Sequence, residues 1–425
     1  MKNFPFIAFA LLTTSAAIGQ SNQKISDSLV ARSIHKRVIT IDARIDLRPD
    51  FHAVGNSAAK ETVDQFDLPK LERGELDVAT VALFADPIKR SPENISIARK
   101  QVDNKLAALK KFVAENPQRL EFAYSAADIE RIVAKGKHAI LLSFLNALSL
   151  GQDLSLIEKY YKEGVRVFGF THAGNNDWAD SSRPNAAFGD KPNENGGLTE
   201  LGRKGVAELN RLGVVIDVSQ LTPAGVFQVV QLSKAPVVAT HSAVFGRVEN
   251  SRNLTNEELK AIAATGGVVH IVPFTPYLKV DPKFREDYIK KIWEPFGLVY
   301  GRDDPRTKLD ADTYQKHLDA YREFSRNEWC YSNLNDYLDA IDYVVRLIGV
   351  DHVGFGSDFN HGGGVTGYNS VAEGPNVTLG LLKRGYTEEE IRKLWGGNFL
   401  RVLREVESSK AIRIVETKTA SPSTK

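Results

Sequence analysis

The chain has 425 residues, 42% of them apolar and 25% charged, which is the composition of an ordinary soluble globular protein. Its formal net charge is +2, so no broad basic surface points to nucleic acid or anionic lipid as a partner. The single cysteine, Cys330, excludes an internal disulfide and a zinc site built from several cysteines.

The first 19 residues differ in composition from the rest of the chain. Lys2 precedes a short apolar run, and Ala17-Ile18-Gly19 fits the small residues that precede a signal-peptidase cut. The apolar run is too short to span a bilayer, and no later segment reaches that length. We therefore expect residues 1–19 to be a signal peptide and the mature protein to be exported, first of all to a bacterial periplasm. Residues 20–410 are then expected to form one domain and residues 411–425 a polar tail.

Eight short apolar runs alternate with helical patterns along the chain. Such runs are typical of strands buried in a parallel sheet, and parallel strands need crossover helices between them. Eight of them favour a closed (β/α)8 barrel over an open sheet. The predicted strands are Val38–Ile41, Val78–Phe84, Ala139–Phe144, Val165–Phe170, Val214–Val218, Val237–Ala239, Val268–Val272 and Val353–Phe355. The predicted helices are Ile25–His35, Ile95–Val113, Leu154–Tyr161, Gly202–Leu212, Glu257–Ala263 and Leu334–Ile348, with long loops at Ala85–Asn94, Asn175–Gly197 and Phe274–Glu328.

Polar residues stand at the ends of six of these predicted strands. In a barrel of this kind the chemistry lies where strands end and the following loops begin. We therefore expect a site there, independently of any family. The residues concerned are Asp42, Arg44, Asp46, Ser143, Asn146, Thr171, His172, Asp217, Gln220, Thr240, His241, Ser357 and Asp358.

Several segments near these strand ends carry motifs in a fixed order. They include Phe66–Lys70, Thr171–Asp177, Gly213–Ser219, Ala235–Ser242, Ser251–Thr255, Asp351–Phe359 and Trp395–Asn398. Together the segments resemble the membrane dipeptidase family, of the renal dipeptidase type, from about Val38 to Val406. The resemblance implies a barrel of the metallo-dependent hydrolase kind, with extra loops and flanking helices. It also implies two zinc ions that share a bridging water and cleave dipeptides.

The zinc ligands that the resemblance implies are largely replaced in this chain. Asp46 and His241 stand at retained ligand positions, whereas Arg44 and Gln220 each replace a histidine and Leu145 replaces the bridging glutamate. Leucine cannot bind a metal ion, and an arginine adds a permanent positive charge. We therefore expect no dinuclear zinc site, and either no metal or one weakly bound divalent ion.

The positions that handle substrate in the family are retained. By resemblance, His172 contacts the substrate, Arg252 holds its carboxylate and Asp358 shuttles the proton. We expect Arg44 to stand in for a cation, to pair with Asp46 or Asp358, and to help bind an anionic ligand. Acid/base chemistry by His172 and Asp358 without metal is an alternative. His361, in a glycine-rich segment, is interpreted as a loop residue without a role.

Three functions stay open on these residues. The first is an exported protein that binds a dipeptide or peptide-derived ligand, its ancestral zinc dipeptidase activity lost or altered, in effect a pseudoenzyme. The second is an active metallodipeptidase with a rebuilt or single-metal site. The third is a periplasmic maturation factor for a peptide-derived metabolite. In each case the expected partner is a small peptide or amino-acid-derived ligand. The resemblance leaves a homodimer open.

Overall fold

The computed structural model of the protein describes residues 27–48, 51–52, 57–300, 302–303, 305–328 and 331–419. The predicted signal peptide, residues 1–19, lies outside these ranges, and so does Cys330. No helix in the described part of the chain is long and apolar enough to cross a membrane.

Parallel strands form the wall of a nearly closed barrel, which confirms the predicted fold class. The strands are β1 Ile41–Ile45, β2 Val78–Phe84, β3 Leu120–Ala123, β4 His138–Leu145, β5 Val165–Gly169, β6 Val215–Asp217, β7 Val237–Ser242, β8 Val268–Ile271 and β9 Val353–Phe355. Eight of them pair in the order β1, β2, β4, β5, β6, β7, β8 and β9, while β3 pairs only with the first half of β4.

Helices connect the strands and cover the outside of the barrel. They are α1 (residues 27–37), α2 Leu68–Arg73, α3 Pro92–Glu115, α4 Ala126–Ala134, α5 Ser155–Lys162, α6 Glu200–Leu212, α7 Pro223–Leu232, α8 Asn256–Ala264, α9 Thr275–Leu278, α10 Pro282–Tyr288, α11 Pro305–Lys308, α12 Ala311–Glu328, α13 Leu334–Ile348, α14 Gly374–Lys383, α15 Glu388–Arg392 and α16 Asn398–Thr419. The last of them continues past residue 410 into the predicted polar tail.

The seam between β9 and β1 is closed by two backbone hydrogen bonds. Asp358 N donates to Arg44 O at 2.8 Å, and Asp46 N donates to Phe359 O at 3.0 Å. Both bonds lie at the carboxyl ends of their strands. The first and last strands are therefore joined by the same residues that the sequence assigns to the site.

The first strand begins later than predicted. Val38 N still bonds back to Ile34 O, and Thr40 is held by the side chain of Asp77, so residues 38–40 form a connection. Pairing with β2 starts at Ile41. Asp42 and Arg44 lie inside β1 itself. Because these two charged residues interrupt the apolar run, a search for continuous apolar runs does not place a strand there.

The prediction of a long loop over Phe274–Glu328 is wrong, because the segment is mostly helical. Its helices α10 and α12 are held together by aromatic packing, with the rings of Phe284 and Phe324 5.3 Å apart and those of Tyr288 and Phe324 5.5 Å apart. This small aromatic cluster lies outside the barrel core, and its scattered rings give no apolar stripe that the sequence pattern would reveal.

Candidate functional site

The eight positions that the resemblance assigns to the metal and substrate site all lie at one mouth of the barrel, at strand ends or in the loops that follow them. Each is at most 5% exposed, so the site excludes most water. The charges of Arg44 and Arg252 both act on His172 and on His241, which places these groups in one site. The eight are Arg44, Asp46, Leu145, His172, Gln220, His241, Arg252 and Asp358.

Arg44 supplies a buried positive charge between two carboxylates. Its Nε donates to Asp358 Oδ1 at 3.1 Å, and its Nη2 lies 3.5 Å from Asp46 Oδ2. Its Nη1 is buried without a hydrogen-bond partner. Ion pairing offsets the free energy that burying these charges costs. The loss of one partner would leave the remaining charges buried without compensation.

Asp46 is held by more cations than Arg44 alone. Lys105, on α3, forms an ion pair with its Oδ1, and His361 Nδ1 lies 3.3 Å from its Oδ2. Burial raises the pKa of Asp46, but Lys105, His361 and Arg44 outweigh burial and hold that pKa well below its usual range. The sequence analysis did not identify Lys105, since it reads as one more lysine on an amphipathic surface helix.

His361 lies in a turn, as predicted, but it contacts His172 and Asp46, which its interpretation as a loop residue without a role did not anticipate. Its Nε2 lies 3.0 Å from His172 Nε2, and both rings pack against Phe84. Burial lowers the pKa of His172 well below 6.5, and the positive charge of Arg183 lowers it further. His172 Nδ1 is buried without a partner. The only signal in the sequence was that His361 follows Asp358 by three residues.

His241 stands in a directed chain of hydrogen bonds. Arg183 Nη2 donates to Gln220 Oε1 at 2.6 Å, and Gln220 Nε2 lies 3.0 Å from His241 Nε2. Because a guanidinium only donates, the Gln220 amide is fixed with its nitrogen toward His241. The Nε2 lone pair of His241 then accepts, and Nδ1 carries the proton toward Thr240 Oγ1, 2.8 Å away.

The chain ends on a buried carboxylate. Thr240 Oγ1 donates to Asp217 Oδ2 at 2.6 Å, and Thr240 N and Ser219 N donate to Asp217 Oδ1, each at 2.9 Å. Asp217 therefore fixes the proton of Thr240, and Thr240 in turn fixes the tautomer of His241. Burial lowers the pKa of His241 well below 6.5, so the ring is neutral at neutral pH.

Leu145 fills the position that the resemblance assigns to a bridging glutamate. It is 3% exposed and packs with Ala82 and Phe84 in a small apolar cluster of its own. Its Cδ1 would lie 2.9 Å from a Cβ added at Gly169, so this side of the mouth is tightly packed. An apolar side chain here offers nothing to a cation.

Arg252 enters the site from the loop after β7. Its Nη2 donates to His241 O at 3.1 Å, and its guanidinium lies 5.4 Å from the ring centre of Tyr277. Its Nε is buried without a partner. The resemblance assigns this position to the arginine that holds the substrate carboxylate, and Arg252 Nε is a donor that no acceptor uses.

Two of the site residues adopt a left-handed backbone. Gln220 has φ +72° and Asp358 has φ +54°, conformations that side chains other than glycine rarely adopt. Each costs on the order of 1–2 kcal/mol. Such strain is concentrated at functional positions in proteins, where the surrounding structure holds it in place.

The donor set does not match what two zinc ions require. In the described residues, no three His, Cys, Asp or Glu side chains come together as metal ligands. Of the two retained positions, Asp46 is ion-paired and His241 accepts from Gln220 through Nε2. Catalytic zinc normally has three protein ligands and an open position.

The model of the membrane dipeptidase family (peptidase family M19) matches residues 29–414 of the chain. The chain belongs to the membrane dipeptidase family. Membership confirms the resemblance that the strand-end motifs carry, and it extends over nearly all of the described barrel.

Two fungal proteins that are similar to this chain are named dipeptidases. Dipeptidase tcpJ of Claviceps purpurea is 28% identical over 293 residues, which cover 68% of this chain and 56% of that protein. Dipeptidase aclJ of Aspergillus oryzae is 27% identical over 353 residues, which cover 82% of this chain and 71% of that protein. The chain thus spans little more than half the length of the first relative.

A solved bacterial structure resembles the chain over the whole barrel. The probable dipeptidase PvdM from Pseudomonas aeruginosa is 40% identical, with a TM-score of 0.82. The superposition covers 90% of this chain and 99% of that one. The two chains therefore share the barrel, its flanking helices and their order.

Proposed function

We propose that this protein binds a dipeptide or peptide-derived ligand at the strand-end site and does not hydrolyse dipeptides by a two-zinc route. The observation that carries the proposal is the placement of Arg44 against both Asp358 and Asp46, at 3.1 and 3.5 Å. A permanent guanidinium charge there repels a divalent ion and already satisfies the carboxylates that would attract one.

The remaining residues suit the binding of an acidic group. Arg252 is buried and keeps a free donor on Nε. By the resemblance, it is the arginine that holds the carboxylate of the substrate. Arginine is well matched to carboxylates because its planar fork makes two parallel hydrogen bonds. His172 and Asp358 remain the proposed ligand-contacting and proton-handling groups, oriented by His361 and Arg44 respectively.

The decisive experiment measures metal content and turnover together. The mature protein, purified without chelator or polyhistidine tag, is assayed for zinc by mass spectrometry and for hydrolysis of L,L and L,D dipeptides. We expect zinc well below one ion per chain and no turnover, with dipeptide-derived ligands still bound. Arg252→Gln should weaken that binding by about 10-fold or more, whereas Arg37→Gln, at a half-exposed pair with Glu388, should leave it unchanged.

An active metallodipeptidase is the second candidate, because both fungal relatives are named dipeptidases and Asp46 and His241 keep their positions. It would use a rebuilt or single-metal site. Near-stoichiometric zinc with turnover in the same experiment would favour it over binding alone.

We also propose that the protein is exported. The support is Lys2, the apolar run after it and the small residues at Ala17-Ile18-Gly19. Sequencing of the amino terminus of the protein from a periplasmic fraction should find Gln20 or Ser21 as the first residue. A chain that retains Met1 in the cytoplasmic fraction would contradict export.

A further inference from the structure

We infer that the ligand of the strand-end site carries two acidic groups and no free ammonium group, and that Arg183 recognises the second acidic group beside Arg252. The inference rests on the proposed ligand-binding function and narrows its ligand class. It starts from the hydrogen-bond donors and acceptors that the site leaves unused.

Arg252 is a buried cation without a carboxylate partner. It is 3% exposed, and among the described residues it forms no ion pair within 4.0 Å. Its guanidinium donates to the carbonyl of His241 through Nη2, and its Nε is buried without a partner. A buried unpaired guanidinium is costly, so a counter-charge is expected from outside the chain.

Arg183 is a second cation without a carboxylate partner, and it is partly buried. Its Nη2 donates to Gln220 Oε1 at 2.6 Å and lies 3.5 Å from His172 Nε2, while its Nε is buried without a partner. No carboxylate pairs with it in the described part of the chain. The position of Arg183 is fixed by its loop, because the adjacent Ser182 N donates to Gln220 O at 2.8 Å.

The two guanidinium groups belong to one site. Both lie close enough to lower the pKa of His172 and of His241, and both contact the Gln220–His241 pair. Two uncompensated guanidinium groups with free N–H donors match two acidic groups on one ligand, since charge-assisted hydrogen bonds of this kind are the strong ones.

An ammonium group would find little to bind here. Asp46 is already paired with Lys105, Arg44 and His361. The Oδ1 of Asp358 is taken by Arg44. A zwitterionic dipeptide would bring a positive charge into a site where Asp46 and Asp358 already have cation partners and where Arg183 and Arg252 have no carboxylate partner, which opposes binding. A peptide whose amino end is acylated, or lies within a longer chain, avoids that repulsion.

Four small probes test this charge requirement on the wild-type protein without any substitution. They are N-acetyl-Ala-Asp with two carboxylates, N-acetyl-Ala-Ala with one, zwitterionic Ala-Ala, and Ala-Ala amide, each in L,L and L,D forms. Titration calorimetry should rank their affinities in that order. We expect about 10-fold or more between the first two, the effect of one charge-assisted pair.

Variants assign the second acidic group to its arginine. Arg183→Met should bring N-acetyl-Ala-Asp down to the affinity of N-acetyl-Ala-Ala, while Arg183→Lys should keep part of the preference. Arg252→Gln should weaken both probes. Arg37→Met is the matched control away from the site, since Arg37 is half-exposed and paired with Glu388 at 2.8 Å. Thermal unfolding of each variant checks that the barrel is intact.

The outcomes separate this inference from the proposed function. If Ala-Ala binds as tightly as N-acetyl-Ala-Ala, and Arg252→Gln weakens both, the site binds peptides but the charge requirement is wrong. If Arg183→Met leaves the preference for N-acetyl-Ala-Asp unchanged, Arg183 is a support for Gln220 and the assignment is overturned. If no probe binds at millimolar concentration, the proposed function and this inference both fail.

Discussion

The side-chain amide of Gln220 donates a hydrogen bond to Nε2 of His241, at 3.0 Å. The resemblance assigns His241 to a retained zinc-ligand position, and this bond engages a lone pair through which a histidine would bind a metal. Arg183 fixes the amide in that orientation. If Gln220 replaces a zinc-binding histidine, as the resemblance implies, it has two effects. It removes one ligand, and its amide also engages Nε2 of His241.

Restoring the family's ligands should restore zinc. In the triple variant Arg44→His, Leu145→Glu, Gln220→His, a repelling charge and an apolar side chain are removed and three ligands return. Mass spectrometry should find zinc content rising toward two ions per chain. Gln220→His alone, which keeps Arg44 and Leu145, should stay near the wild type. A triple variant that folds but gains no metal would count against the position-by-position assignment of the site.

Removing Arg44 should destabilise the barrel strongly. Arg44→Met leaves Asp358 buried without its partner, and the loss of one member of a buried pair costs about 3–5 kcal/mol. Urea unfolding measures the change. Arg37→Met, at a half-exposed pair with Glu388, is the control and should cost less than about 1 kcal/mol. Equal losses in the two variants would show that the Arg44 pair is not buried in solution.

Lys105 should matter more than its place on a surface helix suggests. Lys105→Met removes the nearest cation from buried Asp46, so the pKa of Asp46 should rise and about 1–3 kcal/mol of stability should be lost. The matched control is Lys159→Met, whose partner Asp103 is half-exposed. If both variants unfold at the same urea concentration as the wild type, the contact between Lys105 and Asp46 contributes nothing.

The contribution of His270 to stability should fall as the pH drops below about 6.5, because this histidine is buried in neutral form. Burial lowers the pKa of His270 to about 4, although its Nδ1 donates to Ala239 O at 2.8 Å. Unfolded histidine titrates near 6.5, so between pH 6.5 and 4 the unfolded chain binds a proton that the fold excludes. One such group contributes a loss of about 3 kcal/mol over that window.

The variant His270→Asn isolates that contribution, because its amide nitrogen can still donate to Ala239 O while the side chain no longer titrates. Unfolding curves at pH 7 and pH 4.5 should show a smaller loss of stability for the variant than for the wild type. An identical loss in both proteins would mean that His270 does not bind a proton on unfolding in this range.

The sequence predicted the fold better than the site. Seven predicted strands overlap barrel strands closely. Continuous valine-rich runs are typical of parallel strands that are buried on both faces. The first strand was displaced because Asp42 and Arg44 interrupt its apolar run. Strand β3 was missed, since only Leu120 and Ala123 of its four residues are buried.

Within the site, the strand-end rule located the residues that β-strands deliver and missed those that come from elsewhere. Lys105 arrives from a helix, His361 from a glycine-rich turn, and Arg183 from a loop that folds back onto Gln220. Spacing along the chain gives no sign of such contacts, since each depends on tertiary packing. The roles proposed for His172, Arg252 and Asp358 stay predictions.

The hydrogen bond from Asp358 N to Arg44 O, together with the ion pair between their side chains, ties the last strand to the first across 314 residues of sequence. During synthesis, β1 emerges with Arg44 and Asp46 long before Asp358 exists. A nascent barrel without β9 would have to bury Arg44 without its partner Asp358, or leave this charged edge in water. The ion-paired centre therefore acts as a check on completeness, since only a chain that reaches Asp358 can shut the barrel at low cost.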